Sequence, residues 1–153
     1  MSLEDKLKKL KDEKKEVQID WAKEKDDWMQ SVSRLYDQIQ EWLGDLIGKG
    51  YVGTVREGMA VTEQYIEPYQ IEKLEIQFGG RRAIFEPVGT NIIGGNGRID
   101  LFLSGAKALG YMLILVRDAE NNDEWYLVDR KKRQEKILLT KEIIEGLMEE
   151  WID

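Results

Sequence analysis

The chain contains no cysteine and no histidine. Without cysteine there can be no disulfide framework, no thiolate nucleophile and no cysteine metal site. Without histidine there is no imidazole to serve as general base, triad member or zinc ligand, so any chemistry must rest on carboxylates, lysine, tyrosine and hydroxyls. Acyl transfer by a Ser-His-Asp arrangement is ruled out. Long apolar runs are missing too: no stretch approaches the roughly 18 residues that a membrane span needs, and charges separate Leu3, Leu7 and Leu10 at the amino terminus. The expectation is a soluble, cytoplasmic protein with no metal and no cofactor. A net charge of −7 argues against general affinity for nucleic acid or anionic membrane.

The 153 residues, 42% of them hydrophobic, are enough to enclose one core. The charged fraction, 35%, exceeds the usual level of roughly 25%, and the excess is concentrated in residues 4 to 27. The organisation expected is a charged helical extension over 1–27 and a single α+β domain over 28–153.

No proline occurs between Leu3 and Leu46, and the first glycine is Gly44, so a long amino-terminal helix is predicted. Leu3, Leu7, Leu10, Val17, Trp21 and Trp28 follow a 4-3 heptad track interrupted by Lys14 and Glu24, a thin seam suited to a partner helix. From Trp28 through Val32, Leu35, Tyr36, Ile39, Trp42, Leu43 and Leu46 the stripe widens into that of a helix lying on a core. Asp26 and Asp27 could cap a second helix starting at Trp28, which would bend the long helix near 26–28. The plainer reading of the first half is a solvated helix held by Glu and Lys pairs, each contributing about 0.2–0.5 kcal/mol.

After the glycines between 44 and 58, KGYVGTVREG reads as a short strand or connector, and Thr62 to Ile66 as one helical turn stopped by Pro68. Leu74, Ile76 and Phe78 then alternate with polar residues, Gly79-Gly80 marks a two-residue hairpin, and RRAIFEPV returns. TNII, RIDLFL, YMLILVRD and WYLVDR come next, with Asn96-Gly97 as a second turn centre. Arg130 to Lys136 leads into a helix capped by Thr140. The fold class is therefore α+β, with an antiparallel meander of about five strands over 74–130 and a carboxy-terminal helix over 140–152. The segments LEIQFGG, EPVGT and GRIDL, within residues 28 to 128, resemble a widespread family of small bacterial proteins in which a tryptophan-bearing helical region precedes a similar glycine-punctuated segment. The resemblance implies a bacterial origin and a shared fold, and transfers no site residues.

Four groups of residues carry candidate chemistry. Gly94, Gly95 and Gly97 suggest a phosphate loop, but the residues after Gly97 read as a strand, whereas a phosphate loop opens a helix. Asp100, with Glu75 or Glu86 nearby, could hold a divalent metal for phosphodiester hydrolysis, although Leu115 and Arg117 stand where such a hairpin needs a carboxylate and a lysine. The plain alternative is an ion pair between Asp100 and Arg98, Arg82 or Arg117. Glu75 and Glu86 could alternatively form a glycosidase dyad. Arg81, Arg82, Arg130, Lys131, Lys132 and Arg133 could bind a polyanion. The leading expectation is none of these. It is a non-enzymatic interaction protein whose seam of Leu7, Leu10, Val17, Trp21 and Trp28 meets a protein partner, most simply a second copy.

Overall fold

A computed structural model of the chain describes residues 2–64, 66–90 and 95–153, with the side chains of 12–20, 133 and 134 not described. Helix α1 spans Leu3–Trp42 without a break. It starts at a capping box in which the Ser2 hydroxyl accepts from the Asp5 amide, while the Asp5 carboxylate accepts from that of Ser2. Asp26 and Asp27 therefore start no second helix. Favourable propensity on both sides of Trp28, with no Gly or Pro, lets one helix run through.

A short helix α2 (Gly44–Gly48) turns the chain into one seven-stranded antiparallel sheet: β1 Val52–Glu63, β2 Ile66–Phe78, β3 Arg81–Gly89, β4 Gly97–Leu103, β5 Tyr111–Arg117, β6 Asp123–Asp129 and β7 Lys132–Leu138. Spatial order equals chain order. Helix α3 (Lys141–Ile152) closes the chain, its first turn capped by Thr140 Oγ1, which accepts from the Ile143 amide at 3.2 Å.

Seven strands replace the expected five, and the meander spans 52–138 where 74–130 was expected. The short strand or connector expected at KGYVGTVREG is the long strand β1, the expected helical turn falls on the end of β1 (Thr62, Glu63) and the start of β2 (Ile66), and the expected approach to the last helix is β7. Strands β1 and β7 are the sheet edges. Only Val52 and Val61 are buried in β1, and every described side chain of β7 is exposed, so neither segment shows the strict alternation of a half-buried strand. Lysines on β7 suit an outer strand, which must not invite further pairing. Pro68 is tolerated because the part of β2 before Leu74 pairs on one side only, next to a register shift opposite Val61 and Glu63.

The Gly79-Gly80 turn forms as expected, both residues having positive φ (53° and 76°). Asn96-Gly97 is not a turn centre. Gly97 is already in β4, opposite Leu115, and the Asn96 side-chain oxygen accepts from the Arg117 amide at 3.0 Å. The TNII segment lies largely outside the described residues.

The two long helices share one face of the sheet. Trp28, Val32, Leu35, Tyr36, Ile39 and Leu43 of α1 and Ile144, Leu147 and Met148 of α3 bury against Leu74, Ile76, Phe85, Ile99, Leu101, Leu113, Leu115 and Leu127. Tyr36 registers α1 on the sheet: its buried hydroxyl donates to the carbonyl of Glu72 at 3.0 Å, and burial pushes its pKa upward. Among the described residues, no helix is long and apolar enough to cross a membrane.

Candidate functional site

The amino-terminal seam divides into two environments. Leu3, Leu7 and Leu10 are 73%, 56% and 61% exposed, whereas Trp21 is half-buried and packs against the core. Trp28 is fully buried, its ring 5.9 Å from that of Trp125, and so belongs to the core rather than to any contact surface. The side chain of Val17 lies outside the described residues. Gly97 explains how Trp28 fits: a Cβ at that position would stand 2.2 Å from Trp28 Cζ3, so only glycine lets the indole rest on β4.

The carboxylates singled out for chemistry lie on the helix-free face. Glu86 and Asp100 are direct cross-strand partners there, and each is neutralised by a basic group of its own. Asp100, 4% exposed, accepts from Arg98 Nε at 2.8 Å through one oxygen and from Arg130 at 2.8 Å through the other. Glu86 pairs with Lys107 at 3.2 Å. Glu75 accepts from Arg82 Nε at 2.6 Å and from Gln77, and these hydrogen bonds hold its pKa down. Among the described residues, no three carboxylates gather as metal ligands. Arg98 and Arg130 are thus the partners of Asp100, while Arg82 and Arg117 serve elsewhere. Between these ion pairs Ile84, Phe102, Met112 and Val128 are buried. The Lys107 ammonium lies 5.5 Å from the Phe102 ring centre, part of the cover that a second helix layer does not provide.

The basic residues are similarly dispersed. Arg81 donates to the carbonyl of Ile152 at 3.1 Å, at the carboxy-terminal end of α3 where the helix dipole favours a cation. Arg82 and Arg130 are held by Glu75 and Asp100, and Lys131 and Lys132 are exposed on the β6–β7 hairpin. The side chain of Arg133 is outside the described residues. Gly94 is as well, so the phosphate-loop reading keeps only Gly95 and Gly97, and the space above Gly97 is filled by the Trp28 ring.

One constellation escaped the sequence reading. Ser31, fully buried on α1, donates to Asp123 Oδ1 at 3.0 Å. Arg34 donates to Asp123 Oδ2 through both Nε (3.2 Å) and a terminal nitrogen (2.7 Å). Arg117 reaches the Ser31 hydroxyl at 3.2 Å and lies 3.6 Å from Asp123 Oδ1. One carboxylate and one hydroxyl thus hold two guanidinium groups in fixed positions. The cluster stands at the side of a cleft of about 750 Å³ between α1, the β5–β6 hairpin and Leu138 and Leu139 at the end of β7. The hairpin tip is shaped by Asp118, whose carboxylate accepts from the amides of Glu120 and Asn122, both at 2.9 Å, and by Asn121 with φ 64°. A polar residue on an otherwise apolar helical stripe, Ser31 between Trp28 and Val32, is the signal that could have drawn attention here. Its partners Asp123 and Arg117 lie about ninety positions away in the chain and carried no such signal.

Fold and sites together define a two-layer α+β protein with an open seven-stranded meander and a projecting helix. Compared with protein-family models, curated proteins and solved structures, the chain matches none.

Proposed function

We propose that the protein acts by self-association through the first turns of α1, as a non-enzymatic interaction protein. The observation that carries this reading is the exposure of Leu3, Leu7 and Leu10 at heptad spacing on a helix anchored further along by Trp28. A mostly polar helix without tertiary contacts is only marginally stable, and packing against another helix removes that weakness.

Charge favours an antiparallel pair of copies. Residues 4–15 carry six lysines against four acids, while residues 16–27 carry two lysines against five acids. Laid head to tail, the basic stretch of each copy meets the acidic stretch of the other; in parallel, like would face like. Three leucines from each copy, at about 1.5–3 kcal/mol for full burial of each, supply on the order of 10 kcal/mol. Association costs about 4–15 kcal/mol, so the expected dimer is weak and populated at high micromolar concentration.

Light scattering on the full chain and on the double variant Leu7→Glu, Leu10→Glu tests this. The expected result is a concentration-dependent rise toward twice the chain mass, abolished in the variant while the circular dichroism of the folded body persists. A monomer at every concentration, or a variant that associates like the parent, would sink the reading.

A further inference from the structure

The cleft beside Arg34 is large enough for a small molecule, and its chemistry is two-sided. Midway along its helical wall are the guanidinium groups of Arg34 and Arg117, clamped by Ser31 and Asp123. Arg34 uses Nε and one terminal nitrogen for that clamp, yet its side chain remains 58% exposed, so its outer edge faces the cleft. Leu35 beside Arg34, Trp42 further along α1, Trp125 and Leu138 make the apolar side. Arg34 and Trp42 are separated by about two helical turns, roughly 12 Å along the axis. Glu124 also borders the cleft, but strand alternation next to Trp125 puts its carboxylate on the opposite sheet face, where it accepts from Tyr126 at 2.6 Å. Asp27, the remaining acid, stands about two turns from Arg34 on the side away from Trp42. No repelling carboxylate therefore lies between the arginine and the apolar side among the described residues.

We infer that this cleft binds a small amphipathic anion, its carboxylate or phosphate head on the outer edge of Arg34 and its apolar body along Leu35, Trp42 and Leu138. Asp123 acts as the internal counter-ion that keeps both arginines oriented when nothing is bound, so the head group meets a donor already in position. A cleft of about 750 Å³ is within the ordinary range for small-molecule sites.

Isothermal titration of the full chain with octanoate, octyl phosphate, octanol and acetate tests the inference. Octanoate or octyl phosphate should saturate one site per chain, with octanol and acetate at least tenfold weaker. The tighter of the two anions identifies the head group. Arg34→Gln, a substitution on an exposed helix position, should reduce the anion's affinity to that of octanol and leave octanol unchanged. Equal binding of octanol and octanoate, an anion affinity indifferent to Arg34→Gln, or no saturable binding of either anion would overturn it. Leu7→Glu serves as the control, and its affinities should match the parent, since the seam is a separate surface.

Discussion

Replacing Gly97 by alanine adds one methyl group, and the structure says where it goes. The new Cβ would stand 2.2 Å from Trp28 Cζ3, 2.4 Å from Cε3 and 3.0 Å from Cη2. Carbon atoms in contact prefer roughly 3.5–4.0 Å, so the ring must retreat by more than 1 Å or β4 must give way. Neither has room. Trp28 is fully buried, Trp125 lies against it at 5.9 Å between ring centres, and Gly97 is paired in the sheet interior with Leu115. Overpacking of this kind costs typically about 1–3 kcal/mol, and here the obstructing group is a rigid ring. Alanine recovers about 0.5–1 kcal/mol of glycine's conformational entropy, leaving a net loss of about 2 kcal/mol. For a chain of this length each kcal/mol lowers the melting midpoint by about 2–4 °C, so Gly97→Ala should melt about 4–8 °C below the parent. The cause is checked by a double-mutant cycle with Trp28→Leu, which removes the ring. If the clash is the mechanism, Gly97→Ala should cost almost nothing in that background. An unchanged melting point, or strict additivity of the two substitutions, would refute the reasoning.

Other contacts give two further outcomes. Asp100→Asn leaves Arg98 and Arg130 facing each other across an uncharged amide. Breaking a fully buried pair costs about 3–5 kcal/mol, and these arginines keep 30% and 24% of their side-chain exposure. A loss of about 2 kcal/mol in urea unfolding is therefore expected, and a change within about 0.5 kcal/mol would show that the network is not structural. Tyr111 donates to Glu150 Oε2 at 3.2 Å, and burial, together with the charge of Glu150, pushes its pKa up to about 12. The folded state therefore holds this proton more tightly than the unfolded chain, where tyrosine titrates near 10. The stabilisation is complete below pH 10 and drains away as the pH climbs from about 10 to 12. The melting midpoint of Tyr111→Phe should fall less steeply across that window, and parallel curves would argue against the assignment.

The legible part of the fold was the part whose two faces differ. The second half of β2 places Leu74, Ile76 and Phe78 in the core, and its alternation was readable, as was the Gly79-Gly80 return into β3. The β1 and β7 edges were not, because a strand paired on one side and solvated at its margin carries little apolar pattern, and its lysines and glycines look like those of a loop. Gly97 was misread for a related reason. Asn-Gly signals a turn through local chemistry, but at this place glycine answers to a tryptophan about seventy residues earlier. Asp100 among arginines was visible as a set of options, and only three-dimensional pairing selects Arg98 and Arg130. The Ser31, Arg34, Arg117 and Asp123 cluster depends wholly on helix α1 crossing the starts of β4 and β6, which no local pattern encodes.

That crossing also constrains how copies would meet. Leu10 precedes Trp28 by about five turns of a 3.6-residue helix, so both point in the same direction. Trp28 points at Gly97 and Trp125, and Ser31 meets Asp123, so α1 enters the sheet at the end where β4 and β6 start. The exposed leucines are thus the outward continuation of the stripe that forms the core, and they face the space just beyond that end of the sheet. A second helix lying on them would extend the core past the strand ends. One helix thus carries both features: inside the body it lays Arg34 and Trp42 along the cleft, and further out the core stripe continues as Leu3, Leu7 and Leu10 with the sheet taken away.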